Sequence, residues 1–368
     1  MTGPIVIAAG GTGGHFFPAE ALAAELQSRG RVVALMTDAR SSGERSAVFA
    51  GCERFVLRGS GIAGRGVVKA ARAAVALAMG TLQARGILRR LKPLAIVGFG
   101  GYPSVAPVLA SRFLRKRPVV VLHEQNAVLG RANRALAGKC DVLALSFAGT
   151  TKVPARVKQV VTGNPVRAAI AAVAGLGYRP DPEAFHLLVL GGSQGARVFS
   201  TALPDAIGRL PAAVLARLRI TQQCRPEDLA QVRAMYDAIG VQAELSSFFA
   251  NVADLLVRAD LVIARAGAST VSELAAVGRA SILVPLPSAI DDHQRANARA
   301  LADAGGAWVM HQSIFSGADL ADFLQPLIEQ PAHLVALAKA AAVFGGTGAV
   351  ATLADLVEQT IGLRENAA

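Results

Sequence analysis

The sequence has little of what several protein classes depend on. Its 368 residues include only three cysteines, Cys52, Cys140 and Cys224, which are far apart and form no CxxC pair or Cys/His cluster. This argues against a disulfide framework or a structural zinc site, and it is typical of a reducing cytoplasm. No glycine-rich turn continues into Gly-Lys-Ser/Thr, which removes most ATPases of the P-loop type.

Aromatic residues are also scarce, with three tyrosines and one tryptophan, although the formal net charge is +12. Such a charge favours polyanions: nucleic acid, an anionic membrane surface or phosphorylated substrates. Binding of single-stranded nucleic acid uses aromatic stacking platforms, which this composition supports poorly. We therefore expect no nucleic-acid partner and assign the basic clusters at 85–92 and 112–117 to a membrane surface.

Long hydrophobic runs are missing as well. The longest uncharged apolar helical stretch, near 73–82, is shorter than the about 20 residues that a membrane-spanning helix needs. The first residues run almost directly into a strand, without a basic leader. We expect a protein that is soluble or peripheral to a membrane.

What the sequence does contain is an alternation of short apolar segments with helical ones. The predicted strands are 5–9, 32–36, 95–98, 119–122, 142–145 and 159–161, then 187–190, 215–220, 243–245, 261–264, 282–284 and 307–310. Continuous apolar strands are covered on both faces, and their alternation with helices indicates parallel α/β sheets. We predict an α/β fold with two doubly wound domains, 1–164 and 165–346.

Two glycine-rich turns occupy equivalent places in the two halves. GGTGGH at 10–15 follows the first predicted strand, and GGSQGA at 191–196 follows the first strand of the second half. Free N–H groups at the start of a helix, with the helix dipole behind them, bind phosphate and other anions. A dehydrogenase is not favoured, because Phe16 stands where the third glycine of its fingerprint would be.

Further polar clusters follow predicted strands, at the sheet edge where open α/β sheets bind ligands. They are GFGGY at 98–102, HEQN at 123–126, RAGASTVSE at 265–273 and DDHQ at 291–294. His15 is a candidate general base, because a helix N-terminus disfavours the protonated imidazole. Glu273 either caps a helix or accepts ribose hydroxyls, and Arg167 is either a solvated charge or a fork for a diphosphate oxygen.

These motifs, together with GNPVR at 163–167, occur in the order and spacing of one family from Gly10 to about Asn297. The chain resembles the MurG family, the peptidoglycan-precursor N-acetylglucosaminyltransferases of glycosyltransferase family 28. The resemblance implies a GT-B fold, with two Rossmann-like domains facing across a cleft. Residues 1–164 would bind the acceptor and the membrane, and 165–346 would bind UDP-GlcNAc. A helix at about 347–368 would pack back on the first domain.

The resemblance also implies the reaction. GlcNAc would pass from UDP-GlcNAc to undecaprenyl-diphospho-MurNAc-pentapeptide, lipid I to lipid II, with inversion and with no metal or cofactor. The implied partners are UDP-GlcNAc, lipid I, the anionic inner-membrane surface, and proteins of cell-wall synthesis and division. The implied location is the cytoplasmic face of the bacterial inner membrane, as a peripheral protein.

By the same resemblance, His15 is the leading base and Glu124 the reserve. The substrate-binding roles fall on Thr12, Gly13 and Gly14 at the reacting centre; Ser193 and Arg167 at the donor diphosphate; Ala268, Ser269, Thr270 and Glu273 at the nucleoside; Phe249 beside the uracil; and Asn126, His293 and Gln294 at the sugar.

Two departures from the family stand out. Where the family has a His-Gln-Ser/Thr-Gly turn, the chain reads TQQC at 221–224, after a strand predicted to end at Ile220. Some members of the family have membrane-facing aromatic residues where this chain is expected to have charge, at 112–117. Its attachment to a membrane should therefore be more salt-sensitive than theirs. Two other functions stay open: a UDP-sugar-binding or membrane-scaffold protein without catalysis, and an epimerase of the same fold acting on UDP-GlcNAc.

Overall fold

The computed structural model of the protein describes residues 3–10, 13–39, 46–57, 67–192, 195–346 and 348–366. The chain divides into two compact units, Met1–Arg167 with Gly348–Ala368, and Ala168–Thr347. Each unit contains one sheet in which all strand pairs are parallel.

The first unit holds a seven-stranded sheet of order β3-β2-β1-β4-β5-β6-β7. Its strands are β1 (Ile5–Ala8), β2 (Val33–Thr37), β3 (Glu53–Val56), β4 (Ala95–Gly98), β5 (Val119–Glu124), β6 (Val142–Leu145) and β7 (Gln159–Val161). Its helices are α1 (Gly13–Ser28), α2 (Val67–Leu91), α3 (Gly101–Ser111), α4 (Arg131–Leu136), a 3₁₀ turn at Ala137–Lys139, and the last helix, α14 (Ala349–Asn366).

Helices cover both faces of this sheet. Successive side chains of a strand point to opposite sides, so each strand contributes to two cores. Ile5 and Ile7 of β1 pack in one core with residues of α1 and α14. Val6 and Ala8 pack in a second core with residues of α2 and α3. Burial on both sides explains why the strands are continuously apolar.

The second unit holds a six-stranded sheet of order β10-β9-β8-β11-β12-β13. Its strands are β8 (Phe185–Leu190), β9 (Leu218–Gln223), β10 (Ala243–Ser246), β11 (Leu261–Ala264), β12 (Ser281–Leu283) and β13 (Ala307–Val309). Its helices are α5 (Ala168–Ala171), α6 (Arg197–Ile207), α7 (Ala212–Arg217), α8 (Leu229–Ile239), α9 (Val252–Arg258), α10 (Ala268–Val277), α11 (His293–Asp303), α12 (Gly317–Glu329) and α13 (His333–Gly345). Its 3₁₀ turns are Pro226–Asp228, Ile290–Asp292 and Gln312–Ile314.

The predicted α/β fold with two doubly wound sheets is confirmed, with local corrections. Strand β5 continues through Glu124, so the first two residues of HEQN belong to the strand, and β8 begins at Phe185. Residues 215–217 belong to helix α7 rather than to a strand, and β9 continues through Gln223 instead of ending at Ile220. The sequence analysis missed β3, an edge strand whose residues are partly or fully exposed. Such a strand lacks the continuous apolar run by which the buried strands were found.

Helix α14 belongs to the first unit although it follows the second in the chain. It buries Leu353, Val357 and Ile361 in the same core as α1. At its surface, Nη1 of Arg29, directly after α1, lies 2.6 Å from Asp355 Oδ1 and 2.9 Å from Glu358 Oε2, and Arg31 Nε lies 2.6 Å from Glu358 Oε1. Packing and ion pairs together fix α14 against α1.

In the part of the chain that the structure describes, one stretch, His333–Asn366, is long and apolar enough to cross a membrane by length and composition. It comprises two helices, α13 and α14, with positive φ angles of 57° at Gly346 and 86° at Gly348 between them. Each helix buries apolar side chains in its own unit. The 18-residue window that meets these criteria is 18% buried.

Arg279 ties together several segments of the second unit. It is 2% exposed, and its guanidinium donates hydrogen bonds to five backbone carbonyls. These carbonyls belong to Gly177, Leu256, Val257, Val277 and Gly278. Four of them lie at or next to the C-terminal ends of α9 and α10, where carbonyls lack helical partners and the helix dipole favours a cation.

We predict that Arg279→Met lowers the free energy of unfolding of the second unit by about 3 kcal/mol, because it leaves buried carbonyls unpaired. Denaturant unfolding followed by circular dichroism measures the change. The matched control is Arg209→Met, since Arg209 pairs with Asp205 on the surface and both side chains are about half exposed. The control should change the free energy by less than about 0.5 kcal/mol, and equal losses in the two variants would contradict the prediction.

The docking of α14 should weaken in acid. Burial raises the pKa of Glu358, but hydrogen bonds from Arg31 and Arg29 outweigh it, so the pKa lies below its ordinary value of 4.5. A carboxylate with a lowered pKa stabilises the folded state above its unfolded pKa, and that contribution is lost as the pH falls below about 4.5. Hydrogen exchange of α14 amides, corrected for intrinsic rates, should therefore speed up as the pH falls below about 4.5. Glu358→Gln should show a smaller change, and an identical change would contradict this account.

Candidate active site

The first cluster of candidate residues lies at the carboxyl edge of the seven-stranded sheet. The strand order reverses between β1 and β4, and the crevice outside such a switch point is where open α/β sheets bind ligands. His15 lies there, in the first turn of α1. The loop after β4 passes close to its ring: a β-carbon added to Gly100 would lie 3.6 Å from His15 Cε1. Gly100 and Gly101 have positive φ angles of 81° and 68°, a conformation that favours glycine.

A chain of hydrogen bonds runs from His15 into the protein. His15 Nδ1 lies 2.8 Å from Gln125 Oε1. Gln125 Nε2 lies 3.0 Å from His123 Nδ1 and 3.1 Å from the His123 carbonyl oxygen. His123 Nε2 lies 3.1 Å from the carbonyl oxygen of Gly163. Gln125 and His123 are buried, whereas His15 is half-buried.

His123 is neutral in this setting. Burial lowers the pKa of His123 to about 4, against the smaller opposing effects of the Gly163 hydrogen bond and the nearby Glu124. The structure therefore gives His123 a positioning role within the protein.

The Glu124 carboxylate is held by hydrogen bonds within the protein. Its Oε1 accepts hydrogen bonds from the backbone N–H and the side-chain Nδ2 of Asn126, each at 3.0 Å. Its Oε2 accepts from the Gly130 N–H and from Asn133 Nδ2, each at 2.9 Å. Because four donors occupy the carboxylate, Glu124 fits the reserve role of a base poorly. It instead fixes the loop that carries Asn126.

The other candidates of the first unit are placed as follows. Gly13 and Gly14 are the first two residues of α1, directly before His15. The Arg167 guanidinium carbon lies 5.2 Å from the ring centroid of Phe17, also on α1. Thr12 lies outside the described residues, as does Ser193 of the second unit.

The second cluster lies at the carboxyl edge of the six-stranded sheet, where the strand order reverses between β8 and β11. Helix α10 begins there at Ala268, after Gly267, and no side chain of the described residues caps it. Ser269 Oγ in its first turn is buried and has no hydrogen-bond partner among the described residues. Uncapped N–H groups and a buried hydroxyl can both bind an oxygen-rich ligand.

Thr270 and Glu273 continue the cluster along α10. The spacing of three residues puts them on one side of the helix, and Glu273 is only 8% exposed. Helix α11 meets the same edge, because Asn297 Nδ2 donates to the Ala266 carbonyl at 3.1 Å in the loop before α10.

His293 and Gln294 open α11. Asp291 and Asp292 before them have positive φ angles of 55° and 56°. His293 Nδ1 lies 2.7 Å from the Ile290 carbonyl, and Gln294 Oε1 accepts from the Leu286 N–H at 2.9 Å. These contacts orient both side chains, and their expected contacts with the sugar stay predictions.

The remaining residues singled out by the sequence are Phe249 and the 221–224 segment. Phe249 is buried, whereas its neighbour Phe248 is 74% exposed. In β9, Gln222 is buried and its Oε1 accepts from the Tyr236 hydroxyl at 2.6 Å. The TQQC departure therefore lies largely within a strand and contributes to packing.

Two side chains of the site were given no role by the sequence analysis, His123 and Gln125. Both belong to HEQN, so the motif located them but could not show which of its side chains point inward. Within the described ranges, no group of three or more His, Cys, Asp or Glu side chains could hold a metal ion. The metal-independent reaction stays a prediction.

Comparison with known proteins agrees with these features. The N-terminal domain model of glycosyltransferase family 28 matches residues 5–144, and the C-terminal domain model matches residues 186–360. A relative from Granulibacter bethesdensis is 57% identical over 97% of this chain and 94% of its own length, and one from Acidiphilium cryptum is 52% identical over 99% and 98%. Both are named UDP-N-acetylglucosamine--N-acetylmuramyl-(pentapeptide) pyrophosphoryl-undecaprenol N-acetylglucosamine transferase.

A solved structure supports the same conclusion. The crystal structure of MurG from Acinetobacter baumannii matches with a TM-score of 0.78 at 30% identity, over 97% of this chain and 99% of that one. The resemblance found in the sequence motifs is thereby confirmed. The chain belongs to glycosyltransferase family 28.

Proposed function

We propose that this protein transfers GlcNAc from UDP-GlcNAc to undecaprenyl-diphospho-MurNAc-pentapeptide, converting lipid I to lipid II in peptidoglycan synthesis. The observation that carries the proposal is the His15 imidazole, held by Gln125 at the carboxyl edge of the first sheet. The names of relatives at 57% and 52% identity supply the substrates.

The reaction is a single displacement that inverts the anomeric carbon. An acceptor hydroxyl gives its proton to His15 Nε2 while its oxygen forms a bond to C1 of GlcNAc. The bond from C1 to the diphosphate breaks, and its electron pair stays on the oxygen of the departing UDP. The products are a β(1→4)-linked disaccharide on the lipid carrier, UDP and an imidazolium that then loses its proton to water.

Negative charge grows on the diphosphate as UDP leaves. In the second unit, the uncapped backbone N–H groups at the start of α10 are suited to stabilise it. The Glu273 carboxylate accepts hydrogen bonds from the ribose hydroxyls. The buried Ser269 Oγ supplies a further polar contact to the nucleoside. Preorganised donors of this kind need little rearrangement when the charge appears.

The first test removes the base. We expect His15→Asn to lower kcat by about 10²- to 10³-fold, because the amide can still donate to Gln125 but has no basic nitrogen. The Kd for UDP-GlcNAc should be unchanged. The assay follows formation of lipid-linked disaccharide from UDP-GlcNAc and a lipid I analogue. Normal turnover by His15→Asn would refute the role of His15 as the base. If the wild-type protein makes no disaccharide, or releases a 2-epimer of the sugar without acceptor, the proposed function is refuted.

The second test removes a donor contact. Glu273→Gln keeps the size of this nearly buried side chain but loses its charge, so the Kd for UDP-GlcNAc should rise about 10- to 100-fold. Isothermal titration calorimetry measures it. Glu244→Gln on the exposed face of β10 is the matched control and should bind normally. Equal affinities of the two variants would contradict a contact between Glu273 and the donor.

We also propose that the first unit docks on the cytoplasmic face of the inner membrane, where lipid I is presented beside proteins of wall synthesis and division. Val75, Met79 and Leu82 of α2 are half or more exposed, and their spacing puts them on one side of the helix. Phe113 is 64% exposed. The expectation that charge takes the place of aromatic residues at 112–117 was therefore wrong, since the exposed ring of Phe113 lies within that segment.

A basic cavity lies beside Phe113 and the C-terminal turns of α2. Its volume is about 740 Å³, and it lies before the amino ends of β4 and β5, at the edge opposite His15. Phe113 and a set of cations line it: Arg85, Arg89, Lys92, Arg115, Lys116, Arg117 and Arg364. Each cation near an anionic membrane adds about 1 kcal/mol of attraction. The exposed apolar side chains can insert into the membrane surface and strengthen binding further.

We expect Leu82→Glu to weaken binding to phosphatidylglycerol vesicles by about tenfold or more, because it places a charge on the apolar side of α2. Vesicle co-sedimentation at several salt concentrations measures this. Val343→Glu is the matched control, since Val343 is 77% exposed on α13 of the second unit. Equal binding by both variants would contradict docking through α2.

A further inference from the structure

The hydrogen bonds around Gln125 determine which nitrogen of His15 carries a proton, an inference that rests on the proposed function. The orientation of the Gln125 amide follows from one contact. Its Nε2 lies 3.1 Å from the His123 carbonyl oxygen, which can only accept a hydrogen bond. The amide nitrogen must therefore face His123, and Oε1 must face His15.

His123 agrees with this orientation. Its Nε2 lies 3.1 Å from the Gly163 carbonyl, another group that can only accept, so Nε2 carries the proton. In the neutral ring Nδ1 is then an acceptor, and it faces the Gln125 amide at 3.0 Å. Two carbonyl oxygens thus set every donor and acceptor in the chain from Gly163 to Gln125.

The last link is His15. Its Nδ1 lies 2.8 Å from Gln125 Oε1, which can only accept, so Nδ1 must carry a proton. In the neutral imidazole the lone pair then lies on Nε2. We propose that Gln125 is a positioning residue that holds neutral His15 in the Nδ1–H tautomer, leaving Nε2 as the base for the acceptor hydroxyl.

The arrangement acts through geometry and without a buried charge. An amide oxygen can hold the Nδ1–H bond both before and after Nε2 takes a proton, so the ring does not have to turn during the reaction. A triad of the serine-protease type uses a carboxylate in this place, which also stabilises the imidazolium by its charge. Here the partner of His15 is neutral and is itself held by His123.

The test reads the tautomer directly. Two-bond ¹H–¹⁵N correlation spectra of ¹⁵N-histidine-labelled protein distinguish the protonated from the unprotonated ring nitrogen, and His15→Asn assigns the His15 signals by their loss. We expect neutral His15 to be Nδ1–H in the wild type. In Gln125→Met, which matches the side-chain length but cannot accept the bond, the Nε2–H form that free histidine prefers should dominate. The kcat of Gln125→Met should fall about tenfold, which is less than the ~10²- to 10⁴-fold that a general base contributes. Its Kd for UDP-GlcNAc should be unchanged.

The matched control is Ser146→Ala. The Ser146 hydroxyl donates to the Glu124 carbonyl at 2.9 Å, so the variant removes a hydrogen bond beside β5 without touching His15. It should keep the tautomer and kcat of the wild type. An Nε2–H tautomer in the wild type overturns the inference even if Gln125→Met does not fold, and so does an unchanged tautomer in a folded Gln125→Met. Absence of transfer by the wild type overturns the proposed function alone, since the spectrum is read without substrate.

Discussion

Buried polar groups must find partners, and at the carboxyl end of β5 and just beyond it three of them occur in a row, His123, Glu124 and Gln125. Their partners come from four other places in the first unit: α1, the loop after β5, α4 and the segment after β7. An unsatisfied buried group costs about 1–3 kcal/mol, so each partner is held in place by the need to satisfy this strand end. The candidate base therefore rests on a rigid support rather than on a loop of its own.

In the second unit, buried backbone carbonyls find their hydrogen-bond partner in a cation, Arg279. Arg279 reaches carbonyls at the ends of α9 and α10, so the helix that carries Ser269 and Glu273 is held at its C-terminal end while its N-terminal end stays uncapped by the described side chains. In the second unit, therefore, the stabilising contacts lie at the far end of α10, and unused hydrogen-bonding capacity remains at the carboxyl edge of the sheet. Sites of this kind gain from preorganisation, because the groups that meet the ligand need not move.

The sequence was sufficient for most of the fold because buried parallel strands are continuously apolar, and strands such as 95–98, 142–145 and 261–264 have the predicted bounds. It was insufficient where packing outweighs local pattern: β3 is an exposed edge strand, and residues 215–217, although Leu215 and Ala216 are apolar, end a helix. Motifs located both clusters of the candidate site. They could not reveal Gln125 as the link between two imidazoles, because that depends on side-chain direction, and Phe113 was overlooked because its neighbours are charged.

The position of α14 has a consequence for how the chain is made. The core between α1 and the seven-stranded sheet includes Leu353 and Val357, which the ribosome adds only after the entire second unit. Domains commonly fold in the order of their synthesis, N-terminal first. Here the second unit can close while the first still exposes the apolar groove that α14 will cover, so the part of the molecule that carries His15 is the last to be completed.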